Sequence, residues 1–290
     1  MLVSVRPAAA GDATALTHLL DAAYGGGYLA TFDRDGPLNP RDLWWVHSEK
    51  DVGAIEVDHR LAGLLVVGRG RRQWLVEEIL VEGFDGLPAR SQETLVNRLS
   101  THLVAAFQRG RQQALLLRAA ETNAFGLALA AHLRAAFTNA LLVYRYHGSK
   151  RPAVRAPEHY DVRRAGPDDA REVGRLAREV MSDPARAEEV QRMVASKDGR
   201  VHLARRGPLL VGFAAAEVRP GRGDWVVGVR EAHRRRGVGR ALSAALMASL
   251  HAHGAVPYAT AWALDPIAAP FLRALGFGVE RTYLYLERPL

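Results

Sequence analysis

The segment Asp224–Leu242, DWVVGVREAHRRRGVGRAL, runs from an apolar strand pattern ending at Val229, through a short polar loop, into a helical pattern that begins near Gly237. Glycines at 237 and 239 permit close backbone packing where the helix starts. The first-turn amides of such a helix have no intrahelical acceptor, and together with the helix dipole they form an anion site. Arg234, Arg235, Arg236 and Arg240 bring positive charge to the same place, and a guanidinium can take phosphate oxygens two at a time. A diphosphate is the ligand this construction predicts. Two plainer readings compete with it: a tight strand-to-helix connection and a solvated arginine corner. No GxxxxGKS/T loop is present, and the third glycine of a dinucleotide fingerprint would fall on Leu242.

Outward from this loop, the chain repeats itself. VRPAAAGDATALTHLL near the N-terminus aligns without gaps with VRRAGPDDAREVGRLA at an offset of 157, pairing Val5 with Val162, Arg6 with Arg163, Asp12 with Asp169 and Leu19 with Leu176. The ends correspond as well: Leu133 to Tyr146 (LRAAF…YRY) matches Leu272 to Tyr285 (LRALGF…YLY). Two correspondences in the same order argue for duplication. The difference in offset is accounted for by an insertion in the first half, for which Gly25–Asp51 is the candidate. Residues 148–158, GSKRPAVRAPE, read as a linker between domains 1–150 and 158–290. Each half predicts a short strand, an Asp-started amphipathic helix, three strands, a long helix, a strand, a second helix and a final β ribbon. The fold class is α+β, with a mixed sheet in α/β/α layers.

The 290 residues carry a net charge of +8, from 39 basic and 31 acidic side chains. Residues 1–157 contribute 18 and 15 of these and the remainder 21 and 16, so both halves are basic and no arm concentrates the charge. Arg69–Arg72 and Arg234–Arg236 are the two tight runs, a distribution that suits a small anion better than a polymer. The absence of cysteine excludes disulfides, thiolate metal sites and an acyl-cysteine intermediate. No apolar run of membrane-spanning length and no signal architecture at the N-terminus appears, so no membrane partner is expected and the cytoplasm is the expected compartment. The eleven histidines show no metal spacing, and no metal is expected.

The pattern V-x-x-x-x-R-R-R-G-V-G-R-A-L resembles the acetyl-coenzyme A loop of the GNAT (general N-acetyltransferase) superfamily, Q/R-x-x-G-x-G/A, with Arg234, Gly237 and Gly239 at its fixed positions. DPIAAPFLRALGF (Asp265–Phe277) resembles the family's N-x-x-A-x-x-F-Y-x-x-x-G-F segment, matching at Ala268, Phe271, Gly276 and Phe277. With the repeat, the resemblance implies two tandem GNAT-like acyltransferase domains. It implies that the backbone of Val227, Gly228 and Val229 pairs with the pantetheine arm like an added strand. It further implies that Arg234, Arg235, Arg236, Gly237, Val238, Gly239 and Arg240 hold the pyrophosphate, with Asp265 and Phe271 completing the coenzyme site. The acceptor amine would attack the thioester directly, and backbone N–H groups would stabilise the oxyanion.

Several positions depart from that pattern. The strand before the loop offers Gly223, Trp225 and Val227 at the inward parity, none of them a base. Asp224 has the opposite parity, which a bulge could re-aim, and Glu217 on the preceding strand is the second catalytic candidate. Leu272 stands where the family has its acidic Tyr, and Asp265 replaces its Asn; Tyr283 and Tyr285 are alternative acids, or simply rings packed in the final ribbon. In the first half Glu77 and Glu78 align with the carboxylate-bearing strand, as a solvated strand edge, as part of an acceptor site, or as residues facing the partner domain. There Pro88, Ala89, Ser91 and Asp85 replace the phosphate loop, so this half is a degenerate copy without a coenzyme loop. Trp44-Trp45 read as a satellite core, Tyr24 and Gly25–Gly27 as an acceptor-side loop, and His202 as a packed strand residue.

The resulting expectation is an acetyl-CoA-dependent N-acetyltransferase acting on a small-molecule or peptide amine. The alternatives are a non-catalytic acyl-CoA-binding or regulatory protein of the same fold, and RNA binding through the arginines. Small molecule, peptide N-terminus and antibiotic all stay open as acceptors.

Overall fold

The structure is a computed structural model that describes residues 1–24, 50–69, 74–148, 155–181, 184–219 and 221–290. In chain order the elements are β1 (Val3–Pro7), α1 (Ala13–Tyr24), β2 (Lys50–Val57), β3 (Arg60–Arg69), β4 (Trp74–Val81), α2 (Ala89–Arg109), β5 (Ala114–Ala120), α3 (Ala124–His132), β6 (Ala136–Tyr146), β7 (Asp161–Arg164), α4 (Ala170–Val180), α5 (Pro184–Ala195), β8 (Gly199–Arg206), β9 (Leu209–Arg219), β10 (Arg222–Val229), α6 (Val238–Ala252), β11 (Val256–Trp262), α7 (Ala268–Ala274) and β12 (Phe277–Pro289). They form two compact units: Met1–Leu142 with Trp262–Leu264 and Arg281–Leu290, and Val143–Ala261 with Asp265–Glu280. No described helix is long and apolar enough to cross a membrane.

The duplication read from sequence recurs in hydrogen bonds. Arg6 grips Asp12 with two N–H donors at 2.6 and 2.9 Å, while Asp12 accepts from the Ala9 amide at 2.7 Å. Arg163 and Asp169 repeat the fork at 2.9 and 2.7 Å, with the Gly166 amide at 2.7 Å. An Arg and an Asp six residues apart thus close the same turn between the first strand and first helix of each unit. The Arg6 bond, then the Ala9 amide, pull the Asp12 carboxyl down to about 2.

In the first unit β1, β2, β3 and β4 pair antiparallel in sequence order, and β5 joins β4 in parallel. The sequence predicts a final ribbon closing each half; instead Tyr283–Pro289 run antiparallel to Ala114–Ala120 of β5, inside the first unit. Leu95, Leu99, Leu103 and Phe107 of α2 and Phe125 and Leu129 of α3 bury against Leu65, Val76, Ile79, Leu115 and Leu117 of the sheet. A register shift between Val66 and Val67 places Glu77 as an extra residue of β4. The bulge reverses the facing of the remainder of β4, so that Val76 and Ile79, three residues apart, share one core.

In the second unit β7, β8, β9 and β10 pair antiparallel and β11 joins β10 in parallel. Helix α5 was not apparent from the sequence; with α4 it covers one sheet face, Val173, Leu176 and Val190 meeting Val201, Leu203 and Phe213. Helix α6 covers the other, tightly enough that a Cβ at Gly212 would stand 3.0 Å from Leu242 and one at Gly223 2.6 Å from Leu250.

His202 of β8 lies on the α6 side, its Nε2 2.8 Å from the Ser249 hydroxyl. Burial, and then the charge of Arg164, push its ring down to about 4. The folded state therefore resists a proton that the unfolded chain accepts near 6.5, so this stability is whole above pH 6.5 and drains away as pH falls toward 4. Because part of the ring is exposed, the loss is about 1–2 kcal/mol. His202→Gln should flatten the decline in denaturant midpoint between pH 7 and pH 4.5 relative to wild type.

Candidate functional site

Beyond one point, β10 and β11 part. They pair at Arg222–Val256, Gly223–Pro257 and Asp224–Tyr258 and no further, although β10 continues to Val229 and stays paired with β9 throughout. The edge of Val226–Val229 that faces away from β9 therefore presents backbone N–H and C=O groups that β11 does not take up. Gly228 lies flush with its surroundings, for a Cβ there would stand 2.7 Å from both Phe213 and Val180.

At the open end of β10 the chain turns through Glu231–His233 into α6. Three anchors hold the turn. The Arg230 amide donates to the Val211 carbonyl at 2.9 Å, and its guanidinium meets Glu179 at 2.9 Å. His233 is buried and its Nδ1 lies 3.1 Å from the Tyr160 hydroxyl. Burial, followed by the charges of Arg236, Arg206 and Arg230, lowers the His233 pKa. Arg234 donates from Nε to the Val229 carbonyl at 3.0 Å, so one acceptor of the open edge is already taken.

Gly237 caps α6 at φ +82°, a left-handed conformation that favours glycine, with the Pro157 ring 3.1 Å from where a Cβ would lie. Arg235 is also left-handed, at φ 61°. The first amide of α6 to find a carbonyl is that of Ala241, which bonds Gly237. Among the described residues the amides of Arg236–Arg240 donate to nothing in the protein, and no side chain caps the helix. Arg235, Arg236 and Arg240 are exposed and, among the described residues, form no ion pair. Phe271 of α7 closes the floor, its ring 3.4 Å from where a Cβ at Gly239 would lie. Val238 is buried. Asp265 is occupied as the cap of α7, accepting from the amides of Ile267 at 2.8 Å and Ala268 at 3.0 Å.

Both carboxylates of interest lie at the base of the opening. The β9–β10 register runs without a shift from Arg222 to Val229, so no bulge re-aims Asp224; plain alternation puts it on the α4–α5 face. Glu217 stands directly opposite it and Arg219 opposite Arg222, so all four charged side chains share that face. Each acid is paired along its own strand. Arg222 Nε lies 2.9 Å from both Asp224 oxygens, and Arg219 Nη2 lies 2.7 Å from Glu217. Tyr258, which the sequence reading passed over, lies beneath the Arg222 guanidinium at 4.1 Å and donates to Glu280 at 3.2 Å. Burial and the Glu280 charge push its hydroxyl pKa up. Only the pairing with Asp224, a tertiary fact, singles this tyrosine out.

The first unit repeats the strand opening and closes it. β4 and β5 pair only at Leu75–Leu116 and Val76–Leu117. Past that point Arg118 Nε donates to the Glu77 carbonyl at 3.0 Å and Asn123 Nδ2 to the Ile79 carbonyl at 2.8 Å, bridging the gap. Glu78 is 1% exposed and accepts from Asn123 at 3.3 Å, so it is an interior group and not a solvated strand edge. Pro88 begins α2, and Phe84–Gly86 fold the preceding loop on itself. Tyr283 is buried in this unit and Tyr285 stacks edge-on with Trp262 at 5.0 Å, so both are packed rings of the unit that lacks the loop. Gly25–Gly27, Trp44-Trp45 and Gly70–Arg72 lie outside the described residues, as does the side chain of Tyr24.

The second unit thus brings together parallel strands that part and an uncapped, arginine-lined helix entrance. Residues 197–279 match the family model described as an acetyltransferase (GNAT) domain. The chain as a whole has the fold of tandem GNAT proteins. It is similar to a tandem GNAT protein from the clavulanic acid biosynthesis pathway, with 18% identity, 99% of this chain and 98% of that one covered, and a TM-score of 0.69. It is also similar to a GCN5-related N-acetyltransferase from Sphaerobacter thermophilus (17% identity, 99% and 95% covered, TM-score 0.73). A GNAT-family acetyltransferase from Colwellia psychrerythraea gives 15% identity, 99% and 99% covered, and a TM-score of 0.68. No curated protein sequence matches the chain.

Proposed function

We propose that the chain is a cytoplasmic, acetyl-CoA-dependent N-acetyltransferase with its donor site in domain 158–290, domain 1–150 being a degenerate copy. The observation that supports this most is the coincidence, within one unit, of an open β10 edge and a helix entrance where, among the described residues, the amides of Arg236–Arg240 have no acceptor and Arg235, Arg236 and Arg240 form no ion pair. Acetyl-CoA would supply an acyl group activated as a thioester. The backbone N–H and C=O groups of Val227–Val229 that neither β9 nor Arg234 takes would pair with its amide-containing arm, and Arg234–Arg240 with its diphosphate. The acceptor nitrogen forms its bond to the acyl carbon as the C–S bond breaks, and no enzyme nucleophile intervenes. Asp224, where the strands part, takes the proton that the nitrogen sheds, with Glu217 beside it; the sulfur leaves as a thiolate and is protonated from solvent.

The test is a thermal melt with and without acetyl-CoA, followed by assay of free CoA release across an amine panel. Ligand at a hundred times Kd should add about 2.7 kcal/mol, a rise of roughly 5–10 °C. No rise overturns the donor site. A rise with no CoA release above background across the panel would instead favour the non-catalytic acyl-CoA-binding reading.

A further inference from the structure

We propose that the acceptor is an amine of low basicity, an α-amine of a peptide or amino-acid amide or an arylamine, that enters the site already uncharged. The inference deepens the acetyltransferase reading and rests on it. It comes from the charge arrangement where β10 and β11 part. Glu217, Arg219, Arg222 and Asp224 share one face, and each acid has a guanidinium of its own strand within 3 Å. Beyond them Tyr258 donates to Glu280, which in turn is 3.3 Å from Arg145, so this second carboxylate also has its cation. An alkylammonium entering here meets the Arg222 and Arg219 guanidiniums along with the acids they neutralise.

The proton balance points the same way. A carboxylate ordinarily binds its proton near 4 and an alkylamine near 10.4, a mismatch of about six powers of ten. Enzymes that deprotonate alkylammonium ions narrow this gap by burying a carboxyl away from cations or setting it beside an unpaired acid. Here each candidate has a guanidinium within 3 Å. Once an uncharged nitrogen has formed its bond to the acyl carbon, the proton it then sheds is strongly acidic, and a paired carboxylate suffices to receive it.

The experiment uses the full chain with acetyl-CoA and three acceptors of similar size: phenylalaninamide, an aniline and phenethylamine. With α-amines near 8 and alkylamines near 10.4, kcat/KM at pH 7 should favour phenylalaninamide over phenethylamine by about 200-fold. The aniline arm distinguishes the arylamine source from the α-amine source. Each amine's profile should climb tenfold per pH unit up to that acceptor's own pKa. Equal kcat/KM at pH 7, or a limb at one pH for every acceptor, overturns the proposal, since either result would show a competent enzyme base. Arg222→Gln, which releases Asp224, should shrink the preference at least tenfold. Arg219→Gln, at a less buried position, does the same through Glu217 if Arg222→Gln fails to fold. An unchanged preference in the folded variants overturns the assignment to these pairs. Melting with acetyl-CoA alone separates the two levels: a rise together with a flat acceptor preference removes only this inference, whereas no rise removes the donor site and the inference with it.

Discussion

Gly237→Asp is expected to lower acetyl-CoA affinity by at least two orders of magnitude while leaving the chain folded. Gly237 sits at φ +82°, where an ordinary side chain costs about 1–2 kcal/mol and Asp is among the residues that tolerate it best. Its Cβ would meet only the edge of the Pro157 ring, at 3.1 Å, a neighbour that has to give by a few tenths of an ångström. The electrostatic change is much larger than the strain. A carboxylate would stand among the amides of Arg236–Arg240, which have no acceptor among the described residues, and would occupy the anion site from within. Gly239→Ala is the control. Its Cβ would lie 3.4 Å from Phe271, an ordinary contact, and its backbone is not left-handed, so affinity should stay within a few-fold. Calorimetric titration with acetyl-CoA decides the matter; wild-type affinity in Gly237→Asp would mean that the diphosphate is held elsewhere.

The contrast between these glycines shows what the sequence could convey. Both fill the same motif, and the pattern marks them equally, yet only the backbone angles separate an obligatory glycine from a permissive one. Local features were legible. The Arg–Asp pairs at spacing six, the strand–loop–helix of Asp224–Leu242 and the duplication all depend on residues close in sequence. Features that depend on strand pairing were not. Glu78 looks like an edge residue because nothing near it in sequence reveals that β4 lies between β3 and β5. The bulge considered for the strand of Asp224 occurs instead on the equivalent strand of the first unit, opposite Val66 and Val67. Tyr283 pairs with Ala120, a partner 163 positions away that no periodicity can nominate. The ion pairs of Asp224 and Glu217 lie between these cases. Spacing i,i+2 along a strand was visible, but that both pairs share one face required the β9–β10 register.

The same reasoning assigns unequal weight to two residues that stand at the entrance to the second helix of each repeat. Asn123 and Asp265 each cap the second helix of their unit, Asn123 through the Gly126 amide at 2.9 Å and Asp265 through the Ile267 and Ala268 amides. Among the described residues Asp265 makes no further hydrogen bond or ion pair, and it is partly exposed. Its replacement by Ala should cost about 1 kcal/mol, the ordinary loss of a cap whose amides can turn to water. Asn123 is buried, and its amide nitrogen also reaches the Ile79 carbonyl and the Glu78 carboxylate across the strand opening. Asn123→Ala therefore removes the cap and withdraws a donor from two interior acceptors that water does not readily reach. The expected loss is about 3 kcal/mol, confined to the first unit. Two units need not unfold together, so a single midpoint is a poor measure, and amide hydrogen exchange resolved by segment is the better one. Exchange in Ala114–His132 should accelerate by about two orders of magnitude, with Val238–Ala252 unaffected. A loss no larger than that of Asp265→Ala would mean that the bridge across β4 and β5 is incidental. Should the bridge be what keeps coenzyme out of the first unit, the variant's acetyl-CoA stoichiometry would exceed one per chain; the missing amide donors at Pro88 lead us to expect that it stays at one.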